Sequence, residues 1–223
     1  MRKLLAEGAE AHLYLEDWQG MRVLAKRRVP KPYRIPELDG EVRRFRTVHE
    51  AEMLHRAKLA GVPTPVVYFV DLKDYTIYME YVEGERLREA VERMDGPERR
   101  KVFELVGTLV GRLHAHGIIH GDVTTSNMII RPDGTVFFVD FGLGEASSDV
   151  ERMGVDVHLF EEMLVSTHYR HAEELREAFL KGYRSAVGLE TFKRVMEKVE
   201  EIRRRGRYVS ERRARKVRDV QRG

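Results

Sequence analysis

The stretch His120-Gly121-Asp122-Val123-Thr124-Thr125-Ser126-Asn127, followed by Val139-Asp140-Phe141-Gly142, decides the reading of this chain. Transfer of a phosphoryl group to a hydroxyl needs a carboxylate that orients the hydroxyl or accepts its proton. It also needs oxygen ligands for magnesium and a cation on the nucleotide phosphates. In H-x-D-x-x-x-x-N the Asp and the Asn stand five residues apart on one loop, so Asp122 faces the substrate while Asn127 turns back toward the metal. Asp140 opens a D-F-G 18 residues beyond Asp122 and brings a second carboxylate to the same metal. Magnesium is a hard cation that shares its oxygen ligands with phosphates, so an Asp with an Asn suits it. Either motif alone has a bland alternative: a strand-ending turn for D-F-G, a hydrogen-bonded core histidine for His120. Their coincidence is the informative part. A strand hairpin separates them, with Pro132-Asp133-Gly134 as its turn, and an apolar lead-in runs from Leu113 to Ile119.

Upstream, Val23-Leu24-Ala25-Lys26 reads like the V-A-I-K strand, whose lysine contacts the nucleotide phosphates. By itself Lys26, beside Arg27 and Arg28, reads as a surface lysine; the Asp122/Asp140 pair changes that. Its glutamate partner must come from a helix expected over 38–60, which offers Glu50 and Glu52. Glu50 is the choice, because Met53 and Leu54 share its face. The glycine-rich loop departs from G-x-G-x-x-G: Gly8-Ala9-Glu10-Ala11 keeps one glycine, which weakens backbone cradling of phosphates. Met79-Glu80-Tyr81-Val82-Glu83 ends the last strand of the first lobe, where a hinge would bond adenine through backbone groups; the alternative is an ordinary strand end.

The pattern predicts an α+β, two-lobed fold. Short strands are expected within 4–29, at 66–70 and at 76–81, around the one long helix, whose stripe is Val42, Phe45, Val48, Met53 and Leu54. Beyond Glu83-Gly84 helices dominate: a short one from Leu87, one at 98–117 with Val102, Leu105, Val106, Leu109, Val110 and Leu113 as its stripe, and others at 150–166 and 172–202. This divides the chain into an ATP-binding N-lobe (1–83), a C-lobe with the catalytic loop and metal site (84–202) and a basic tail (203–223). Residues 201–223 hold ten Lys or Arg against three Asp or Glu, leaving 30 basic and 34 acidic residues in the first 200. Such a tail points to an acidic partner, nucleic acid first, or to a solvated extension. Cysteine is absent, which removes disulfides and thiolate chemistry, and no apolar run reaches membrane-spanning length. No signal-peptide h-region follows the N-terminus, so a cytoplasmic protein is expected, with no membrane partner.

Several motifs together resemble one family over nearly the whole chain. They are Gly8-Ala9-Glu10-Ala11 in place of the glycine loop, Lys31-Pro32-Tyr33-Arg34-Ile35-Pro36-Glu37-Leu38-Asp39 before the helix, and Glu50-Ala51 within it. Gly61-Val62-Pro63-Thr64-Pro65, His120-Gly121-Asp122 and the arginine-rich end with Arg205-Gly206-Arg207 complete the set. The chain resembles the small atypical serine/threonine kinase of the KEOPS complex, the PRPK-like family, in its archaeal form. The resemblance implies ATP and Mg²⁺ as cofactors and weak protein kinase or ATPase activity. It also implies work beside a threonylcarbamoyl-transferase subunit and a small regulatory subunit, in threonylcarbamoyl-adenosine modification of tRNA. Carried over by position, Lys26 and Glu50 form the phosphate-binding pair, Asp122 is the catalytic carboxylate, and Asn127 and Asp140 hold the metal. His120 supports the loop, and Asp156 matches the helix aspartate that braces it.

Only 13 residues separate Gly142 from Asp156, with no A-P-E, which leaves little room for an activation loop that docks a peptide. A partner-presented substrate, autophosphorylation or ATP hydrolysis fits better. Arg203, Arg204, Arg205, Arg207, Arg212 and Arg213 are placed to neutralise tRNA phosphates, or to fold back toward the nucleotide cleft. Two other readings compete: a small-molecule kinase of the aminoglycoside or choline type, and a non-catalytic scaffold that binds tRNA and a partner.

Overall fold

A computed structural model describes residues 2–220, with side chains as far as Arg205. The N-lobe is one antiparallel sheet built from β1 (Arg2–Glu7), β2 (Ala11–Trp18), β3 (Met21–Arg28), β4 (Val67–Asp71) and β5 (Thr76–Glu80), in spatial order β1-β2-β3-β5-β4. The central strand β3 pairs Lys26 with Leu13 on one side and Ile77 on the other. Side chains alternate along a strand, so Val23 and Ala25 enter one face and Lys26 and Arg28 the opposite one.

The long helix α1 (Pro36–Leu59) packs across this sheet. Pro36 opens it where a missing N–H costs nothing, and Asp39 folds the preceding segment onto the first turn by accepting the Lys31 N–H at 3.1 Å and bonding Arg43 at 2.7 Å. The expected stripe needs correction. Phe45 is 67% and Val48 44% exposed, whereas Thr47, Glu50, Met53, Leu54 and Ala57 are buried. The buried positions keep helical spacing, but two of them are polar, because Glu50 meets cations of β3. Hydrophobic periodicity therefore misaimed the first half of the helix.

Residues 81–84 carry the chain into the C-lobe, where β6 (Glu85–Arg86), β8 (Met128–Ile130) and β9 (Val136–Phe138) form a small sheet in the order β6-β8-β9. The short α2 (Leu87–Ala90) follows β6. Helix α3 (Gly96–Ala115) then starts from Asp95, whose carboxylate accepts the Glu98 N–H at 2.8 Å. Strand β7 (Ile118–Ile119) pairs with β10 (Glu145–Ala146). Helix α4 (Val150–Thr167) and helix α5 (Ala172–Val220) complete the lobe, and α5 leaves helical geometry at Gly188, where φ is 80°. Of the α3 stripe, Leu105 is 37% exposed and the other five positions are buried. Helix α3 lies so close to α5 that a Cβ on Gly107 would stand 1.9 Å from the Phe179 carbonyl oxygen, and one on Gly182 would be 1.9 Å from that of Glu104. Phe103, Phe160, Phe179 and Tyr183 fill the space between α3, α4 and α5 and give the catalytic loop a rigid floor.

Candidate active site

The site gathers residues from β3, α1, the loop between β7 and β8, and the segment after β9. Lys26 Nζ bonds Glu50 Oε1 at 2.5 Å and Asp140 Oδ2 at 2.9 Å. Burial disfavours its ammonium, but the two carboxylates more than offset that and hold Lys26 above the usual lysine range. Asp140 works the other way: burial favours its neutral form, and Lys26 and the Gly142 N–H, donated to Oδ1 at 2.9 Å, pull it below the usual carboxylate range. Its side chain is 42% exposed, so an ionised carboxylate is offered to the cleft. Glu50 is wholly buried, and burial pushes its carboxyl up despite Lys26 and Arg28.

Asp122 and Asn127 face each other across the catalytic loop. The Asn127 amide donates to Asp122 Oδ2 at 2.8 Å and to the Asp122 carbonyl at 3.0 Å, which leaves the amide oxygen as the atom for a cation. The loop is anchored from below by Asp156, which is completely buried on α4. Its Oδ2 accepts the His120 N–H at 2.7 Å and its Oδ1 the Gly121 N–H at 2.9 Å. His114 Nε2 donates to the same Oδ2 at 3.2 Å, and the Tyr183 hydroxyl donates to His114 Nδ1 at 2.8 Å. Burial pushes the Tyr183 phenol well above its ordinary value, so it stays a donor. His120 lies against Phe141 with ring centroids 4.5 Å apart, and its Nδ1 accepts the Asp122 N–H at 3.3 Å. Burial keeps this imidazole below its ordinary pKa, hence neutral.

The glycine-poor loop is shaped by ties other than glycine. The Gly8 N–H bonds the Ala11 carbonyl at 3.0 Å, Lys31 Nζ caps the Ala9 carbonyl, and Glu10 pairs with Arg46 of α1 at 2.5 Å. Ala11 is buried beneath the turn. At the strand end, Met79 and Val82 are buried, and Glu80 gives its N–H to the Val66 carbonyl at 2.8 Å.

The start of the basic segment lies against the C-lobe itself. Arg203 bonds Glu161 at 2.5 Å and Glu200 at 2.6 Å, and Arg205 bonds Glu151 at 2.8 Å, while Arg204 is exposed. The side chains of Arg207, Arg212 and Arg213 lie outside the described residues. Three residues of the site escaped the sequence reading. Arg28 carries the signal of standing two residues from Lys26 on one strand face. His114 continues the buried stripe of α3 one turn after Val110. Tyr183 has no local signal.

A two-lobed fold with a lysine–glutamate pair on the sheet and an H-x-D loop and D-F-G beneath it defines a protein kinase, an ATP-dependent phosphotransferase that uses a divalent metal. The family model for the protein kinase domain matches residues 23–187. The chain is 47% identical over 212 residues to the KEOPS complex subunit Bud32 of Pyrococcus abyssi, covering 92% of this chain and 96% of that one. It is 43% identical to a probable serine/threonine-protein kinase Bud32 homolog of Archaeoglobus fulgidus, across 84% of this chain and 89% of that one. It is also 44% identical to a probable bifunctional tRNA threonylcarbamoyladenosine biosynthesis protein of Methanothermobacter thermautotrophicus, where it matches 92% of itself but only 36% of the larger protein. The chain belongs to the Bud32 family of protein kinases. Among the described residues, no helix is long and apolar enough to cross a membrane.

Proposed function

We propose that this chain transfers the γ-phosphoryl group of Mg²⁺-ATP to a serine or threonine hydroxyl, or to water, as the kinase subunit of a KEOPS complex that makes threonylcarbamoyl-adenosine in tRNA. The observation that carries this reading is Lys26 held between Glu50 and Asp140, beside the Asp122–Asn127 pair. Lys26 is the cation for the nucleotide phosphates, and Glu50 aims it. Asp140 and the Asn127 oxygen hold Mg²⁺: two hard oxygens suit it, and the low-lying Asp140 carboxyl is ionised to receive it. Held there, the ion would supply positive charge to offset that of the nucleotide phosphates. Asp122 orients the attacking hydroxyl or water. Gly8, Ala9, Glu10 and Ala11 cover the phosphates, and the backbone around Met79, Glu80 and Val82 receives adenine.

Hydrolysis is the second reading, favoured by one feature. The segment after Asp140 closes at once through β10 onto β7, and His49 Nε2 of α1 donates to the Gly144 carbonyl at 2.7 Å. This tight closure builds no ledge for an extended peptide. The acceptor then comes from a partner, for which the transferase subunit and a small regulatory subunit are the candidates. Arg204, Arg207, Arg212 and Arg213 meet tRNA phosphates in the cytoplasm; Arg203 and Arg205 are already paired with carboxylates.

Incubation with Mg²⁺ and γ-labelled ATP, with and without the transferase partner, tests both readings. Label in protein that Asp122→Ala abolishes establishes kinase activity. Free phosphate that rises with the partner establishes a coupled ATPase. Turnover in neither setting rejects catalysis and leaves a scaffold.

A further inference from the structure

Glu50 carries two cations, one on each carboxylate oxygen. Lys26 takes Oε1 at 2.5 Å, and Arg28 Nη2 takes Oε2 at 2.7 Å. Arg28 is itself only 5% exposed, and the same Nη2 donates to the Arg46 carbonyl of α1 at 3.1 Å, one turn before Glu50. Lys26 and Arg28 reach α1 together because residues two apart on a strand share a face. The phosphotransfer constellation calls for only one of these cations.

Charge balance shows what the second one does. Lys26, Arg28, Glu50 and Asp140 sum to zero; without Arg28 the cluster is negative where a triphosphate must enter. Lys26 is divided between Glu50 and Asp140. When Lys26 also serves phosphate while still paired with Glu50, its single charge is shared, and a fully buried carboxylate left with part of a counter-ion is disfavoured. We propose that Arg28 is the resident counter-ion of Glu50. It is a positioning residue that keeps the carboxylate charged and aimed, so that Lys26 can serve the phosphates while still paired with Glu50. Arg28 acts through Glu50 and touches no substrate. The inference rests on the reading of Lys26 as the phosphate-binding cation.

The test compares wild type, Arg28→Gln, Arg28→Lys, Glu50→Gln and the Arg28→Gln/Glu50→Gln double variant in Mg²⁺-ATP turnover, with a melting curve for each. Glutamine keeps a donor and removes the charge. Arg28 Nε has no hydrogen-bond partner among the described residues, so lysine can supply both the charge and the one bond that matters. In Arg28→Gln, kcat should fall about tenfold while the KM for ATP moves less than about threefold. Arg28→Lys should recover to within about threefold of wild type, and Arg28→Gln should add less than about twofold in the Glu50→Gln background. A lysine variant as impaired as the glutamine variant, or losses that multiply in the double variant, would reduce Arg28 to a structural tie.

A second readout does not depend on turnover: acylation of Lys26 by an ATP acyl-phosphate probe, followed by mass spectrometry. Labelling should slow in Arg28→Gln and return in Arg28→Lys. If wild type labels Lys26 but turns over no ATP, catalysis is rejected and labelling alone decides the role of Arg28. If wild-type Lys26 is not labelled, both fall. Should Arg28→Gln not fold, Arg28→Lys decides: wild-type labelling supports the counter-ion role, and its loss refutes it.

Discussion

The carbonyl oxygen of Leu143 lies 2.2 Å from where a Cβ on Gly121 would stand, and Gly121 has φ of 79°. The middle residue of His120-Gly121-Asp122 is therefore pressed against the short segment that follows Asp140, in a backbone region that side chains avoid. An arginine here would need both the backbone and Leu143 to move. Gly121→Ala should cost at least about 2 kcal/mol and lower the melting temperature by several degrees. Calorimetry checks this; an unchanged Tm would mean the segment yields freely.

Asp140→Asn keeps the side chain's shape but removes the charge that faces Lys26 and that is proposed to receive the metal. Mg²⁺-dependent ATP turnover should drop by about 100-fold or more. The melting temperature should stay close to that of wild type, since the side chain is partly exposed. Turnover assays across a magnesium titration separate the outcomes: recovery at high Mg²⁺ would assign the loss to weakened metal binding alone.

Asp156 holds two backbone N–H groups and His114 in a fully buried position. Asp156→Ala leaves those donors unmet and should destabilise the C-lobe by about 3 kcal/mol or more, with loss of turnover. Tyr183→Phe removes only the far end of the chain, at Tyr183–His114, and should cost about 1 kcal/mol. Denaturant melts of both variants test the order of these effects.

His120 and His168 are both held below the ordinary histidine pKa, chiefly by burial; His168 also bonds the Thr125 hydroxyl at 2.9 Å. The unfolded chain binds a proton at each site more readily than the folded one, so stability is lost as pH falls below about 6.5. The melting temperature should decline from pH 7 toward pH 5, and His168→Gln should flatten part of that decline. Thermal melts over this range give the slope directly.

The proposed binding of tRNA through the arginine-rich end should weaken steeply with salt. Replacing Arg207, Arg212 and Arg213 together by Gln should reduce the slope of log K against log salt by about 2 to 3. Replacing Arg203 should instead destabilise the fold, because Arg203 bonds Glu161, whose side chain is 3% exposed. Filter binding at several salt concentrations and a melting curve distinguish the two arginine sets.

Local sequence was enough to bring together the candidate residues of the lower half of the site. The loop from His120 to Asn127 and the turn at Asp140 lie within 23 residues, and their spacing around a hairpin is a local property. The two-lobed α+β class followed from the change of pattern at Glu83-Gly84, because strand and helix periods are written in neighbouring residues. The choice of Glu50 over Glu52 also came from neighbours, through the face it shares with Met53 and Leu54.

Only the tertiary structure decided the remaining polar pairs. Arg28 joins Glu50 across 22 residues, Tyr183 joins His114 across 69, and Arg203 joins Glu161 across 42. Hydrophobic periodicity carries no information about such pairs and misled where a buried carboxylate replaced an apolar side chain, as it did along α1. Glu50 is buried because β3 brings two cations to it. That contact exists only when sheet and helix have already packed.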